Sequence, residues 1–196
     1  HTNPGTSAST PKSSIQQILD TYSLIQGDRI LVDTGVYSLT NQILITTSDK
    51  GAASGRVRIL GSTNYAAGGS VLRPVTNFSG LGVFNLNVTK YIEISDFIFN
   101  GGTNGLRIYQ TTDCIASNLQ MRGGKGAGVA FTQSSGNEFE KLLVAGRSYG
   151  VQSSLSSGNS FDSCVFWSNI CDGVSITLGN IEVRNSVIHC MKPTYY

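Results

Sequence analysis

The sequence predicts an all-β fold, a right-handed parallel β-helix: a solenoid of short coils with three parallel sheets and an amphipathic helix capping its N-terminal end. Three observations predict it. A Gly followed by an apolar residue recurs at Gly82-Val83, Gly105-Leu106, Gly128-Val129, Gly150-Val151 and Gly173-Val174, spaced 23, 23, 22 and 23 residues apart. Each interval holds three short segments whose apolar residues stand two apart. Before the repeat lies one segment, and only one, with helical apolar spacing.

The repeat sets the architecture. Residues two apart on a strand face the same side. The first segment of each unit gives inward pairs Leu106/Ile108, Val129/Phe131 and Val174/Ile176. The second gives Ile92/Ile94, Asn137/Phe139, Asn159/Phe161 and Ile181/Val183; the third gives Phe97/Phe99, Leu119/Met121, Leu142/Val144 and Cys164/Phe166. Strands this short bury no core alone. Stacked at a fixed period, about 4.8 Å apart, they form continuous apolar columns. Between second and third segments the corner is two residues long, with Asp96, Asn118, Lys141, Ser163 and Asn185 at its second position. Asn tolerates the left-handed backbone such a corner needs. Asn137 and Asn159 fall one coil apart in an inward column, where stacked amides can hydrogen-bond along the axis.

Upstream, Ile30-Leu31-Val32, Ile43-Leu44-Ile45, Val57-Arg58-Ile59 and Val71-Leu72 are apolar runs separated by Gly, Asn and Asp. They read as less regular first coils over 28–81, ahead of regular coils over 82–190. A solenoid end exposes core and strand edge, so it needs a cap. Ser13-Ser14-Ile15-Gln16 resembles a capping box, and Ile15, Ile18, Leu19 and Tyr22 follow on one helix face. A cap helix over 13–23 is expected to lie across the first coil. Residues 1–12 read as linker, and 13–196 as one domain. No matching C-terminal cap is visible in His189 to Tyr196.

Composition excludes several function classes. Charged residues are 13 % and the formal net charge is +2, with no basic run, so no nucleic-acid partner is expected. No apolar stretch is long enough to insert in a membrane. Hydrophobic content of 39 % is too high for a disordered chain. The cysteines, Cys114, Cys164, Cys171 and Cys190, contain no CxxC pair. Cys114 and Cys164 read as buried thiols. Cys171 and Cys190 fall near one corner of successive coils, where a disulfide is one alternative.

The segments Asn3-Pro4-Gly5-Thr6, Thr10-Pro11, Ser14 to Leu19, Gly27-Asp28-Arg29-Ile30-Leu31-Val32 and Gly35-Val36-Tyr37 resemble the opening of pectin-lyase-like right-handed β-helix proteins. The later Gly units resemble the parallel β-helix repeats of that group. The resemblance implies a helix capping the first coil and an extracellular or cell-surface module of the kind found in large secreted bacterial proteins. It spans lyases, hydrolases, phage tailspikes and adhesins, so fold alone selects no function. Lyases of this group use acidic residues for calcium and an Arg or Lys as base. The outward column of the first sheet, read as Phe84, Arg107, Ala130, Gln152 and Ser175, contains no carboxylate, so no catalytic residue is assigned.

The sequence therefore reads as a structural or adhesive module, with polysaccharide as its expected partner and no cofactor. A carbohydrate-active enzyme on an acidic polysaccharide is the first alternative. Self-association by end-to-end stacking through the last strand is the second. Glu140, Asp162 and Arg184 stack at one corner; the two acids are weak metal candidates, and mutual charge neutralisation is the simpler reading. The longest corners precede each repeat Gly and carry planar polar and aromatic groups suited to acidic sugars. Arg107, Arg122, Lys125, Arg147, Tyr149, Trp167 and Asn169 are the candidate glycan ligands, with Trp167, the single Trp, expected to face outward.

Overall fold

Alternating apolar residues give short strands, and tight turns between them return the chain to the same place once per coil. A computed structural model describes residues 4–76, 78 and 80–190. Numbered in chain order, the strands fall on three faces. The first face holds β3 (Ile43–Ile45), β6 (Gly82–Asn87), β9 (Asn104–Tyr109), β12 (Ala127–Thr132) and the first parts of β15 (Tyr149–Asp162) and β17 (Asp172–Arg184). The second holds β1 (Arg29–Leu31), β4 (Val57–Leu60), β7 (Ile92–Ser95), β10 (Ile115–Ser117), β13 (Glu138–Glu140) and the later parts of β15 and β17. The third holds β2 (Gly35–Leu39), β5 (Ser70–Pro74), β8 (Phe97–Asn100), β11 (Gln120–Arg122), β14 (Leu143–Ala145), β16 (Val165–Asn169) and β18 (Val187–Cys190). All pairs between these strands are parallel. Because β15 and β17 run unbroken around a corner, the first two faces join into one hydrogen-bonded sheet.

The expected inward columns form the core. Phe97, Phe99, Leu119, Met121, Leu142, Val144, Cys164 and Phe166 are all buried on the third face. Phe139 and Phe161 stack at 4.6 Å in the middle of the solenoid, with Phe131 and Phe166 against them. In the last coil the same pattern opens to solvent: Ile176 and Val183 are exposed, and Val174 and Ile181 only partly buried. Cys114 and Cys164 are buried free thiols. Burial pushes their pKa up, to about 12 and about 11. Cys171 is an exposed free thiol, so it forms no disulfide here, and the side chain of Cys190 lies outside the described residues.

One register differs from the sequence reading. Phe84 pairs with Leu106 and Asn85 with Arg107, so Phe84 is buried and Asn85 takes the outward place, itself covered to 4 % exposure by its neighbours. Val83 thus falls where later coils have glycine. A Cβ at Gly105, Gly128 or Gly150 would strike Met121, Val144 or Phe166, the core side chains arriving from the third face. The repeat glycines make room for those side chains.

Polar ladders hold the corners. Asn137 donates to Asn159 Oδ1 at 2.9 Å, and Asn159 Oδ1 also accepts from the Asn137 N–H. Ser134 and Ser156 extend a second ladder, each accepting the backbone N–H one coil earlier. The two-residue corner is left-handed at Asp96, Asn118, Lys141, Ser163 and Asn185. Helix α1 (Ile15–Thr21) caps the start. Ser14 accepts from Gln17 N–H, while Gln17 Oε1 reaches Ser13 instead of closing the box on Ser14. Ile15 and Leu19 pack on the core, and Gln16 Oε1 accepts the Leu44 N–H at 2.8 Å, filling a place on the edge of β3. Tyr22 follows the helix and is exposed.

Candidate functional site

Three faces built on one backbone carry three different outer surfaces. On the first face, register sets Asn85, Arg107, Ala130, Gln152 and Ser175 in one outward column, and Asn87, Tyr109, Thr132, Ser154 and Thr177 in the next. Neither column holds a carboxylate. Arg107 donates to Asn85 Oδ1 at 3.1 Å, and its guanidinium lies 5.4 Å from the centre of the Tyr109 ring. Asn85 in turn donates to Gln42 Oε1 at 3.0 Å. This chain of contacts holds an Arg in place on a flat polar face, with ring and guanidinium together. At the adjoining corner Gln110 donates to Gln133 across one coil.

The second face mixes charges with acids in excess: its outward columns hold five carboxylates against Arg29, Arg58 and Arg184. Glu93, Glu138 and Glu182 share a column, with Glu140 and Asp162 in the one beside it. Arg58 pairs with Glu93 at 3.0 Å. Arg184 turns from Asp162, its register partner, to Glu182, donating from Nε at 2.6 Å. Asn185 and Ser163 donate to Asp162 Oδ1 and hold its pKa below the ordinary carboxylate value. Glu140 and Asp162 stack in register, one coil apart.

The seven sequence candidates for glycan contact separate. Arg107 stays on the first face. Tyr149 stands at its margin, beside the Cys171 thiol, and Lys125 is exposed on the neighbouring corner. Arg122 and Trp167 belong instead to an outward column of the third face, with Ala145 between them and His189 beyond. Trp167 is 49 % exposed and stacks on His189 with centroids 4.2 Å apart and planes 18° from parallel.

Arg147 and Asn169 require correction, because both are fully buried. Asn169 Oδ1 accepts the Arg147 N–H at 3.2 Å, and its amide donates to Val144 O. The Arg147 side chain runs back along the axis under the preceding corners. It donates to Gly101 O at 2.9 Å, Thr103 O at 3.0 Å and Ala127 O at 3.3 Å. Gly124 covers it closely: a Cβ there would lie 2.8 Å from the guanidinium. Burial draws its pKa down to about 10, leaving it cationic at neutral pH. Arg147 is a staple of three corners and does not reach a surface ligand. Asn85, Asn87 and Tyr109 are the first-face residues that sequence reading missed. Tyr109 was recoverable, since it stands two residues after Arg107 and so shares its side of the strand.

The sequence matches the family described as a right handed beta helix region over residues 74–193, more than half of the chain. No curated protein matches the chain by sequence. Among solved structures, pectate lyase Pel9A superposes with a TM-score of 0.62 at 14 % identity, covering 95 % of this chain and 50 % of that one. ORF18 of Geobacillus virus E2 gives 0.59 at 13 % identity, covering 88 % and 44 %. A rhamnogalacturonan lyase gives 0.54 at 12 % identity, covering 94 % and 65 %. The chain thus spans about half the length of the first two structures, and identities this low show a shared fold. With the family match and the stacked parallel coils in agreement, this chain belongs to the right-handed parallel β-helix family.

Proposed function

We infer that this chain is a glycan-binding β-helix module that acts outside the cell or at its surface, holding an acidic polysaccharide along the first face. The observation that carries this reading is the contrast between faces. Five successive rungs of the first face offer hydroxyls, amides, Tyr109 and Arg107 without a carboxylate, whereas the second face stacks Glu93, Glu138, Glu140, Asp162 and Glu182. An anionic chain meets a net excess of carboxylates on the second face, partly offset by Arg29, Arg58 and Arg184, and none on the first. Guanidinium and amide groups bind uronate carboxylates, and a Tyr ring packs on a sugar face. Equivalent contacts repeat about every 4.8 Å, so a polymer gains avidity from many weak contacts without a deep pocket. Two of the structures sharing the fold are named for action on pectate and rhamnogalacturonan, so uronate-rich polymers are the first ligands to try.

The test is calorimetric titration with oligogalacturonate, using a neutral cello-oligosaccharide as control. Binding is expected for the acidic oligomer and is expected to weaken as salt is raised. Arg107→Ala is expected to cost about tenfold in affinity, or ~1.4 kcal/mol, with the unfolding midpoint almost unmoved. Equal binding of both oligomers, or an unchanged Arg107→Ala, would overturn the reading. Near-ultraviolet absorbance followed in the same samples separates binding from lysis. Unsaturated products that vanish with Arg107→Ala would make the module an enzyme instead.

A further inference from the structure

The third face differs from the other two. Its central outward column runs through every coil from β2 to β18, and all but one of its residues are aliphatic. Strand propensity does not explain this, because the first and second faces use the same parallel strands and turn polar residues outward. Parallel sheets with apolar residues on both sides are ordinarily covered on both sides. Among the described residues no element packs over it: Val36 and Val187, at its two ends, are 59 % and 54 % exposed, and the five residues between them are partly exposed.

The column also reads alike in both directions. Counted inward from the ends, Val36 matches Val187, Val71 matches Val165, and Ile98 matches Leu143. Gln120 stands alone at the centre. We propose that the third face is a self-association surface on which two copies of this chain pack face to face with antiparallel axes, related by a two-fold axis passing at Gln120. That operation sets Val on Val, Ile on Leu, and Gln120 against its own copy. A primary amide is self-complementary, donor to acceptor in both directions. The Oε1 of Gln120 already accepts from Arg122 at 2.7 Å, which fixes the amide and points its NH₂ for donation. A single polar pair at the centre of an apolar seam sets register, as a buried Asn does in coiled coils.

Under the same operation Arg122 of the flanking column falls beside its own copy, each guanidinium already donating to the Gln120 Oε1 of its own chain. The order of that column from β8 onward is Asn100, Arg122, Ala145, Trp167 and His189, with Arg73 one coil earlier. Reversal brings Arg73 of each copy beside Trp167 of the other, where a cation can reach only the indole face that His189 leaves free. A parallel arrangement about the same column would instead set each aliphatic residue on its own copy and turn Arg73 away from Trp167. Six rung spacings make the seam about 29 Å long. With flanks, each copy buries roughly 500–700 Å², near the lower end of stable interfaces, so micromolar association is expected. The first face stays open on each copy.

Sedimentation of the full chain between about 1 and 300 µM tests the association. A monomer–dimer equilibrium is expected, and Leu143→Lys with Val165→Lys is expected to weaken it at least ~tenfold. Register is read separately, in a Cys171→Ser, Cys190→Ser background that keeps only the buried Cys114 and Cys164, with one introduced cysteine per chain and a short bis-maleimide. Gln120→Cys is expected to cross-link to itself. Val36→Cys is expected to cross-link only when mixed with Val187→Cys. These positions need no change in the core, so they report even where a double Lys variant folds poorly. A chain monomeric throughout, or Val36→Cys linked to itself, overturns the proposal. So does association that survives the Lys pair and is lost with Ile176→Lys, which would place the contact on the last coil. Oligogalacturonate binding by a monomeric chain leaves the glycan reading intact, so the two can fail independently.

Discussion

Arg147 is the residue whose environment decides most. A buried guanidinium with carbonyl partners and no carboxylate is tolerated only where several hydrogen bonds are made at once. Here Gly101, Thr103 and Ala127 supply them, while Nε has no partner among the described residues. Truncation removes those three bonds, leaving Thr103 O with the Gly126 N–H alone, and opens a channel beneath the corners. Arg147→Ala is therefore expected to cost about 3–5 kcal/mol in urea unfolding. Arg147→Lys should recover only part, because one ammonium does not span three carbonyls on two coils as a fork does. The same burial acts on the thiols in a testable direction. Cys114 and Cys164 have pKa values raised in the fold to about 12 and about 11, above an ordinary value of 9.0. Their contribution is thus complete below about pH 9 and is lost as pH rises through the folded values. Unfolding midpoints compared at neutral pH and near pH 10 are expected to fall, and Cys114→Ala should reduce the fall.

At the scale of the element, the coil is a set of strands joined by left-handed corners. Two such columns sit where the chain turns from the first face to the second and from the second to the third. The latter was legible, because Asp96, Asn118 and Asn185 are residues that accept αL. The former was not. Its left-handed positions are Val88, Gln110, Gln133, Leu155 and Leu178, with φ between 47° and 57°, and none of these residue types signals a corner. Val88 is the most strained by type, since a β-branched residue at positive φ is an outlier. It is 42 % exposed, so replacing it loses little burial. Val88→Asn is expected to stabilise the chain by ~1 kcal/mol, seen as a raised urea midpoint at unchanged slope. A fall in stability would show that its methyl groups pack more than their exposure indicates. Arg147 was illegible for a related reason. Between Gly146 and Ser148 a lone Arg reads as an exposed corner residue, and only its 22-residue offset from Asn169 marks it as a member of an inward ladder. The Phe84 register was missed because Gly82-Val83 imitates the repeat one residue early.

At the scale of the molecule, stability is a sum over coils and the interfaces between them, so it is not uniform along the axis. The two described ends are finished differently. At the start, α1 lays Ile15 and Leu19 on the core and fills an edge position of β3 through Gln16. In the last described coil, β17 pairs along its length with β15, yet the inward Ile176, Val183 and Ile188 are 37–48 % exposed. Burial worth roughly 25 cal/mol per Å² is therefore missing from this coil, while its backbone entropy cost equals that of any other. The coils from β7 to β16 keep that burial: their Phe, Leu and Met columns are closed above and below, and the Asn137–Asn159 ladder ties them. Amide exchange is expected to follow this gradient. Amides of residues 172–190 should exchange through local opening well before those of 92–166, which should require global unfolding. Dilution is informative too. If two copies close over the third face, β18 amides gain protection at high concentration while those in the part of β17 on the first face do not. Uniform exchange along the whole axis would mean that the coils unfold as a single unit. The exposed last coil would then be as firmly held by its pairing with β15 as the inner coils are by their core.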